Sequence, residues 1–130
     1  MGLEELLERS DVISIHCNLT WETEHLLNAD TFRKMIRKPV VINTARGPVI
    51  EQNALLQALN SNQIQSAGID VFNTELPGEL PANLLEHPGI IATGHYGWYS
   101  ENSHIELQKR AADNLLGLLT GKIVEDCLNP

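Results

Sequence analysis

Four short apolar runs most constrain what this chain can become: Val12-Ile13-Ser14-Ile15, Val40-Val41-Ile42, Ala67-Gly68-Ile69-Asp70-Val71-Phe72 and Ile90-Ile91-Ala92. They read as buried strands, and their near-continuous apolar character is what a sheet covered on both faces requires. Helical patterns lie between them. Phe32, Met35 and Ile36 stand at i, i+3, i+4, and Leu55, Ala58 and Leu59 repeat that spacing, so each stripe is placed to face a sheet. Strands alternating with helices predict parallel pairing through right-handed crossovers, hence an open α/β sheet of about four strands with helices on both faces. A final and longest helix is expected to start at Ser100, its cap, and to run past Leu107, Ala111, Leu115 and Leu118 to Gly121, a suitable residue just beyond a helix end. Between Thr74 and Pro88, three prolines and a glycine predict a long loop with at most one helical turn.

The bulk numbers narrow the function. A chain of 130 residues with 42% hydrophobic side chains suits one domain, 1–130, and is short for two. The formal net charge of −8, with nine Lys and Arg in all, argues against a nucleic-acid or acidic-membrane surface, because phosphate binding needs clustered cations. Cys17 and Cys127 form no CxxC pair, so neither a disulfide framework nor a zinc site is expected and a reducing compartment fits. No apolar run approaches the roughly 18 residues of a membrane span, and the acidic start Met1-Gly2-Leu3-Glu4-Glu5 lacks the basic region of a signal peptide. The expected location is the cytoplasm.

Polar and ionisable residues follow the apolar runs: Asn43-Thr44-Ala45-Arg46-Gly47 after the second, Asp70 and Glu75 at and after the third, Thr93-Gly94-His95 after the fourth. In open parallel sheets the carboxyl edge is where ligands bind, so these segments are expected to converge on one crevice. A guanidinium there can grip a carboxylate with two parallel hydrogen bonds, and an imidazole can move a proton. A carboxylate beside the imidazole would favour its charged form.

These same segments, with Gly68-Ile69-Asp70-Val71-Phe72-Asn73-Thr74-Glu75, Asp11-Val12-Ile13-Ser14-Ile15-His16 and the closing Leu128-Asn129-Pro130, closely resemble in order and spacing the signature segments of the D-isomer-specific 2-hydroxyacid dehydrogenase family. The likeness covers essentially the whole chain. The run His95-Tyr96-Gly97-Trp98-Tyr99-Ser100-Glu101 looks most like the branch shared with the C-terminal-binding-protein corepressors. The resemblance implies part of a Rossmann-like NAD-binding domain, with hydride passing between NAD, or NADP, and a small D-2-hydroxy acid or its 2-oxo partner. It implies that Arg46 binds the substrate carboxylate and 2-oxo group, that His95 is the general acid and base, and that Glu75 orients and tunes His95. For the cofactor it implies Asp70 on the nicotinamide carboxamide, with Thr44, Ala45, Arg46, His95 and Gly97 lining the same side and Cys17 and Asn18 passing beneath. Trp98 would border the substrate pocket. A homodimer is the family habit and is carried as an expectation.

The chain also departs from that pattern. The glycine-rich fingerprint GxGxxG that holds a pyrophosphate is nowhere in these residues, nor is a separate substrate domain, so the chain is expected to be an inactive segment of a protein roughly two to three times longer. Gly94 and Asn18 stand where family members usually carry proline, and Gly94 should loosen the backbone that aims His95. Plainer readings exist for each residue. Arg46 could be a surface arginine in a turn, Glu75 a solvated loop residue, His95 a satisfied turn histidine, and Trp98 and Tyr99 packing aromatics. Asp70 inside an apolar strand would need a hydrogen-bonding partner to be merely structural, because an unpaired buried carboxylate costs several kcal/mol. His16, His25, His87 and His104 show no paired metal-ligand spacing and read as structural, Cys17 as a core-edge residue and Cys127 as a plain thiol. No GxSxG elbow supports hydrolysis. The alternative from another class is a non-catalytic module, corepressor-like or a remnant, that folds and self-associates without turnover.

Overall fold

The computed structural model describes residues 1–74, 82–122 and 124. By their internal contacts the residues fall into two compact units, Met1–Gly97 and Trp98–Pro130. In the first, four strands, β1 (Val12–Ile15), β2 (Val40–Asn43), β3 (Ser66–Ile69) and β4 (Ile90–Ala92), form one parallel sheet in the order β1-β2-β3-β4. Their register decides where the site can be. Ile15 pairs with Asn43, Asn43 with Ile69 and Ile69 with Ala92, so all four strands end on one row. The next residues, His16, Thr44, Asp70 and Thr93, therefore begin four neighbouring loops on one rim.

Four helices connect or flank the strands: α1 (Leu3–Arg9), α2 (Ala29–Arg33), α3 (Gln52–Asn60) and α4 (Ala82–Leu85). Asn28 starts α2 through a reciprocal cap, its side chain accepting from the Asp30 and Thr31 N–H groups while the Thr31 hydroxyl accepts from the Asn28 N–H. Such a cap satisfies donors that the first helical turn leaves without partners. In α3 the expected stripe is the buried one, with Leu55, Ala58 and Leu59 inside. Ile13, Ile15, Val41, Ala67 and Ile69 point to the same cluster, where Leu7 of α1, Phe32 of α2 and Leu84 of α4 meet them. Each large apolar side chain fully buried in this way contributes roughly 1.5–3 kcal/mol, so a single packed face suffices to hold strands of three or four residues.

That face is the only one the helices of this unit cover among the described residues. Val12, 58% exposed, and Ile91, 75% exposed, lie on the other. The open sheet of four parallel strands flanked by helices is the expected architecture, and within it the strands alternate in burial. One correction concerns the stripe Phe32, Met35, Ile36. Helix α2 ends at Arg33, and Ile36 is 73% exposed. The chain turns there, with the Lys38 N–H donating to the Met35 carbonyl and Lys38 itself left-handed (φ 53°) ahead of Pro39, which has no N–H to continue a helix. The third strand stops at Ile69, short of the expected Phe72, because Asp70 turns to partners described below.

Among the described residues of the second unit, one helix, α5, spans Glu101–Leu119. Ser100 caps it as expected, accepting from the Ser103 N–H at 3.1 Å while the Ser103 hydroxyl accepts from the Ser100 N–H at 2.8 Å. Thr120 closes it and Gly121 follows at φ 72°, the left-handed region that glycine enters without steric cost. Leu107, Leu115 and Leu118 of the expected stripe are exposed. No helix among the described residues is long and apolar enough to cross a membrane.

Candidate active site

The loop after β2 is shaped by Asn43, a side chain buried to within 1% of full enclosure. Its Oδ1 accepts from the Ala45 N–H at 3.0 Å and its Nδ2 donates to the Arg46 carbonyl at 2.9 Å. A short amide that binds its own backbone two and three residues on bends the chain tightly, which is why an asparagine suits the end of this strand. Gly47 then lies against the following loop: a Cβ there would stand 2.1 Å from the Phe72 carbonyl carbon and 2.6 Å from the Asn73 nitrogen. Only a glycine fits. Further on, the segment is stitched to the loop after β1, with the His25 N–H donating to the Pro48 carbonyl at 2.8 Å and the Leu27 N–H to the Val49 carbonyl at 3.1 Å.

Arg46 is exposed, and its Nη1 donates to the Ala45 carbonyl at 2.7 Å. No carboxylate is paired with it among the described residues. With Thr44 and Ala45 it walls an open cavity of about 430 Å³ whose opposite wall is His16, Cys17, Asn18 and Leu19. His16, expected in a strand, follows β1 and is hydrogen-bonded to Ser14 at 2.8 Å.

Asp70 organises the other half of the rim. It is 5% exposed, and the partner that a structural role demands is present several times over. Oδ1 accepts from the Thr93 hydroxyl and from the Tyr96 N–H at 2.8 Å, Oδ2 accepts from the Gly97 N–H at 2.8 Å, and the Asp70 carbonyl accepts from the His95 N–H at 2.9 Å. His95 sits in the left-handed region at φ 61°. The Gly97 backbone passes close to both Asp70 and the Thr44 side chain, a Cβ there standing 2.9 Å from Oδ2 and 3.4 Å from the Thr44 Cβ. The loops after β2, β3 and β4 thus meet at Thr44, Asp70 and Gly97.

Burial alone would raise the Asp70 carboxyl, but the hydrogen bonds from Thr93, Gly97 and Tyr96, with the nearby His95 charge, outweigh it and hold the group below the ordinary aspartate value. A depressed folded value means that the stabilisation is present above the unfolded value and lost as pH falls through the folded one. The Tyr96 and Gly97 amides are therefore expected to stay protected from exchange through the usual carboxylate range and to open only at lower pH. Amide exchange by NMR, corrected for intrinsic rates, checks this; opening already at the ordinary aspartate value would contradict it.

Of the expected site residues, Cys17, Asn18, Thr44, Ala45, Arg46, Asp70, His95 and Gly97 all stand on this one rim, although the cavity beside Arg46 takes its far wall from the loop after β1 and not from His95. Glu75 lies outside the described residues, as do Cys127 and the closing Leu128-Asn129-Pro130. Trp98 belongs to the second unit, where its ring meets that of Tyr99 edge-on at 5.5 Å and 80°. Two rim residues were not among the expected site residues: Asn43, whose signal is an amide at a strand end before small residues, and Thr93, whose signal is the need of a buried carboxylate for a donor.

Residues 1–97 match the family described as D-isomer specific 2-hydroxyacid dehydrogenase, NAD binding domain. The chain belongs to this family. Among curated dehydrogenases it is 38% identical over 128 residues to glyoxylate/hydroxypyruvate reductase B of Cronobacter sakazakii, covering 98% of this chain and 39% of that relative. Among solved structures it is similar to TP0037 of Treponema pallidum, a D-lactate dehydrogenase, at 34% identity and a TM-score of 0.89, covering 96% of this chain and 41% of that one. It is also similar to the D-lactate dehydrogenase of Aquifex aeolicus, solved with NAD and lactic acid, at 29% identity and a TM-score of 0.84, covering 93% and 40% of the two chains. The chain thus spans about two-fifths of the length of these family members. The portion matched is the family's NAD-binding domain, and NAD is the cofactor of that domain.

Proposed function

We propose that this chain is the acid/base-bearing segment of an NAD-dependent oxidoreductase that interconverts a small D-2-hydroxy acid and its 2-oxo acid. The observation that carries the reading is the shared strand-end row, which starts the loops of Arg46 and His95 on one rim in a chain of this family. Arg46, exposed and without a carboxylate partner among the described residues, binds the substrate carboxylate through its guanidinium fork. His95 gives a proton to the 2-oxo oxygen in reduction and takes it back in oxidation. Glu75 is assigned to hold that imidazole.

The residues present fit the nicotinamide end of the cofactor. Gly97 lets backbone approach Asp70 closely, and Oδ2 of Asp70 accepts one hydrogen bond, leaving acceptor capacity for a carboxamide N–H. Cys17, Asn18, Thr44 and Ala45 would line the path beneath it. Bound NAD supplies the hydride transfer; the chain's own residues bind, aim and protonate.

A chimera tests the reading. With this chain in place of the matching segment of the Cronobacter sakazakii reductase, the protein is expected to oxidise NADH in the presence of a 2-oxo acid. A chimera that melts cooperatively and quenches its fluorescence on NADH binding, yet shows no turnover on any small 2-oxo acid, would remove the enzyme reading.

A further inference from the structure

We propose that Asp70 is the positioning residue for His95, its carboxylate and its carbonyl oxygen together holding the loop Thr93–Gly97 in the backbone shape that seats a non-glycine residue in the left-handed region. The functional meaning of this inference rests on reading His95 as the acid/base group; its geometry does not.

Local sequence gives the loop little to hold it. Gly94 and Gly97 flank the histidine at close range and widen the backbone's freedom. His95 at φ 61° adds a steric penalty, since its Cβ crowds the following carbonyl in that region. Such a conformation persists only when its surroundings over-determine it. Among the described residues, one residue accepts four hydrogen bonds from this loop. The Asp70 carboxylate takes a hydrogen bond from Thr93, two positions before His95, and from Tyr96 and Gly97, the two positions after it, while its carbonyl takes the N–H of His95 itself. The histidine is bracketed on both sides from a single point just past the end of the neighbouring strand β3.

The chemistry requires an aspartate. Three donors converge on two oxygens, and a carboxylate accepts at both. Asparagine offers one accepting oxygen and turns an NH2 toward a donor, so at least one of the three bonds must fail. Glutamate is one methylene longer, and that methylene would carry its oxygens out of the positions that now meet the Tyr96 and Gly97 N–H groups at 2.8 Å. This duty is distinct from contact with a cofactor.

The test is amide exchange by NMR on the ligand-free chain. In Asp70→Asn the Tyr96 and Gly97 amides are expected to exchange about tenfold faster or more, the scale of losing hydrogen bonds to a charged group. The Val41 and Ala67 amides in the strands should be unmoved. Thr93→Val, which keeps the shape and deletes the hydroxyl, should loosen the same two amides and shift the His95 ring resonance, whereas Thr93→Ser should restore both. Native exchange at Tyr96 and Gly97 in Asp70→Asn, or identical behaviour of Thr93→Ser and Thr93→Val, would overturn the proposal. Should Asp70→Asn also open the strands, Thr93→Val decides: loosening confined to the loop supports the clamp, and native rates there overturn it. Failure here leaves the chemistry of His95 standing, while a chimera that binds NADH without turnover removes the chemistry and leaves the clamp.

Discussion

Replacing Gly47 with alanine is expected to cost this fold about 3 kcal/mol or more, at the upper end of what overpacking does. The added Cβ would meet the Phe72 carbonyl carbon at 2.1 Å and its oxygen at 2.2 Å. Those are backbone atoms, so no side chain can swing away, and one of the two loops must move. For a unit of this size the loss corresponds to a fall in melting temperature of roughly 10 °C or more. Gly68→Ala is the matched control. A Cβ at Gly68 finds the Ile42 side chain at 3.9 Å, an ordinary contact, so that variant should melt within about 2 °C of the parent or slightly above it. Thermal denaturation followed by circular dichroism reads both, and equal melting of the two variants would mean that the packing of the Arg46 loop on Phe72 is wrong.

His95→Asn separates chemistry from conformation. Asparagine is among the few residues that visit the left-handed region readily, so the backbone at φ 61° should survive and the melting temperature should hold. The proton donor, however, is gone. In the chimera, turnover should fall by about 10² to 10⁴, the usual contribution of a positioned acid or base, with NADH affinity little changed. Turnover within a few-fold of the parent would take His95 out of the reaction. A valine at the same position should lose activity and stability together, since a β-branched side chain tolerates that backbone badly.

These two variants also mark how far the sequence could be read. The strands were legible because each is a short apolar run bounded by polar residues, and Ser100 was legible as a cap because a serine before a long amphipathic pattern has few other uses. What failed was what lies outside local pattern. The apolar runs could not tell which of their residues are buried, since Val12 and Ile91 look like core residues and are exposed. Ile36 fits a helical stripe by spacing, yet the turn ahead of Pro39 carries it to the surface. Asp70 was legible as a buried carboxylate in need of a partner, but its donors stand 23 to 27 positions away, and pairing at that distance is set by register rather than by any neighbouring residue.

The stitching of the first two loops has a consequence for change over time. Because the His25 and Leu27 amides and the Pro48 and Val49 carbonyls form that seam, the route of the chain is set by backbone atoms that every amino acid except proline supplies at the donor positions. Side chains along the cavity can be exchanged without rerouting the polypeptide, whereas a length change within 25–27 or 48–49 would shift the pairing of the seam. Variety in the cavity's lining is thus compatible with a fixed path of the backbone at the seam.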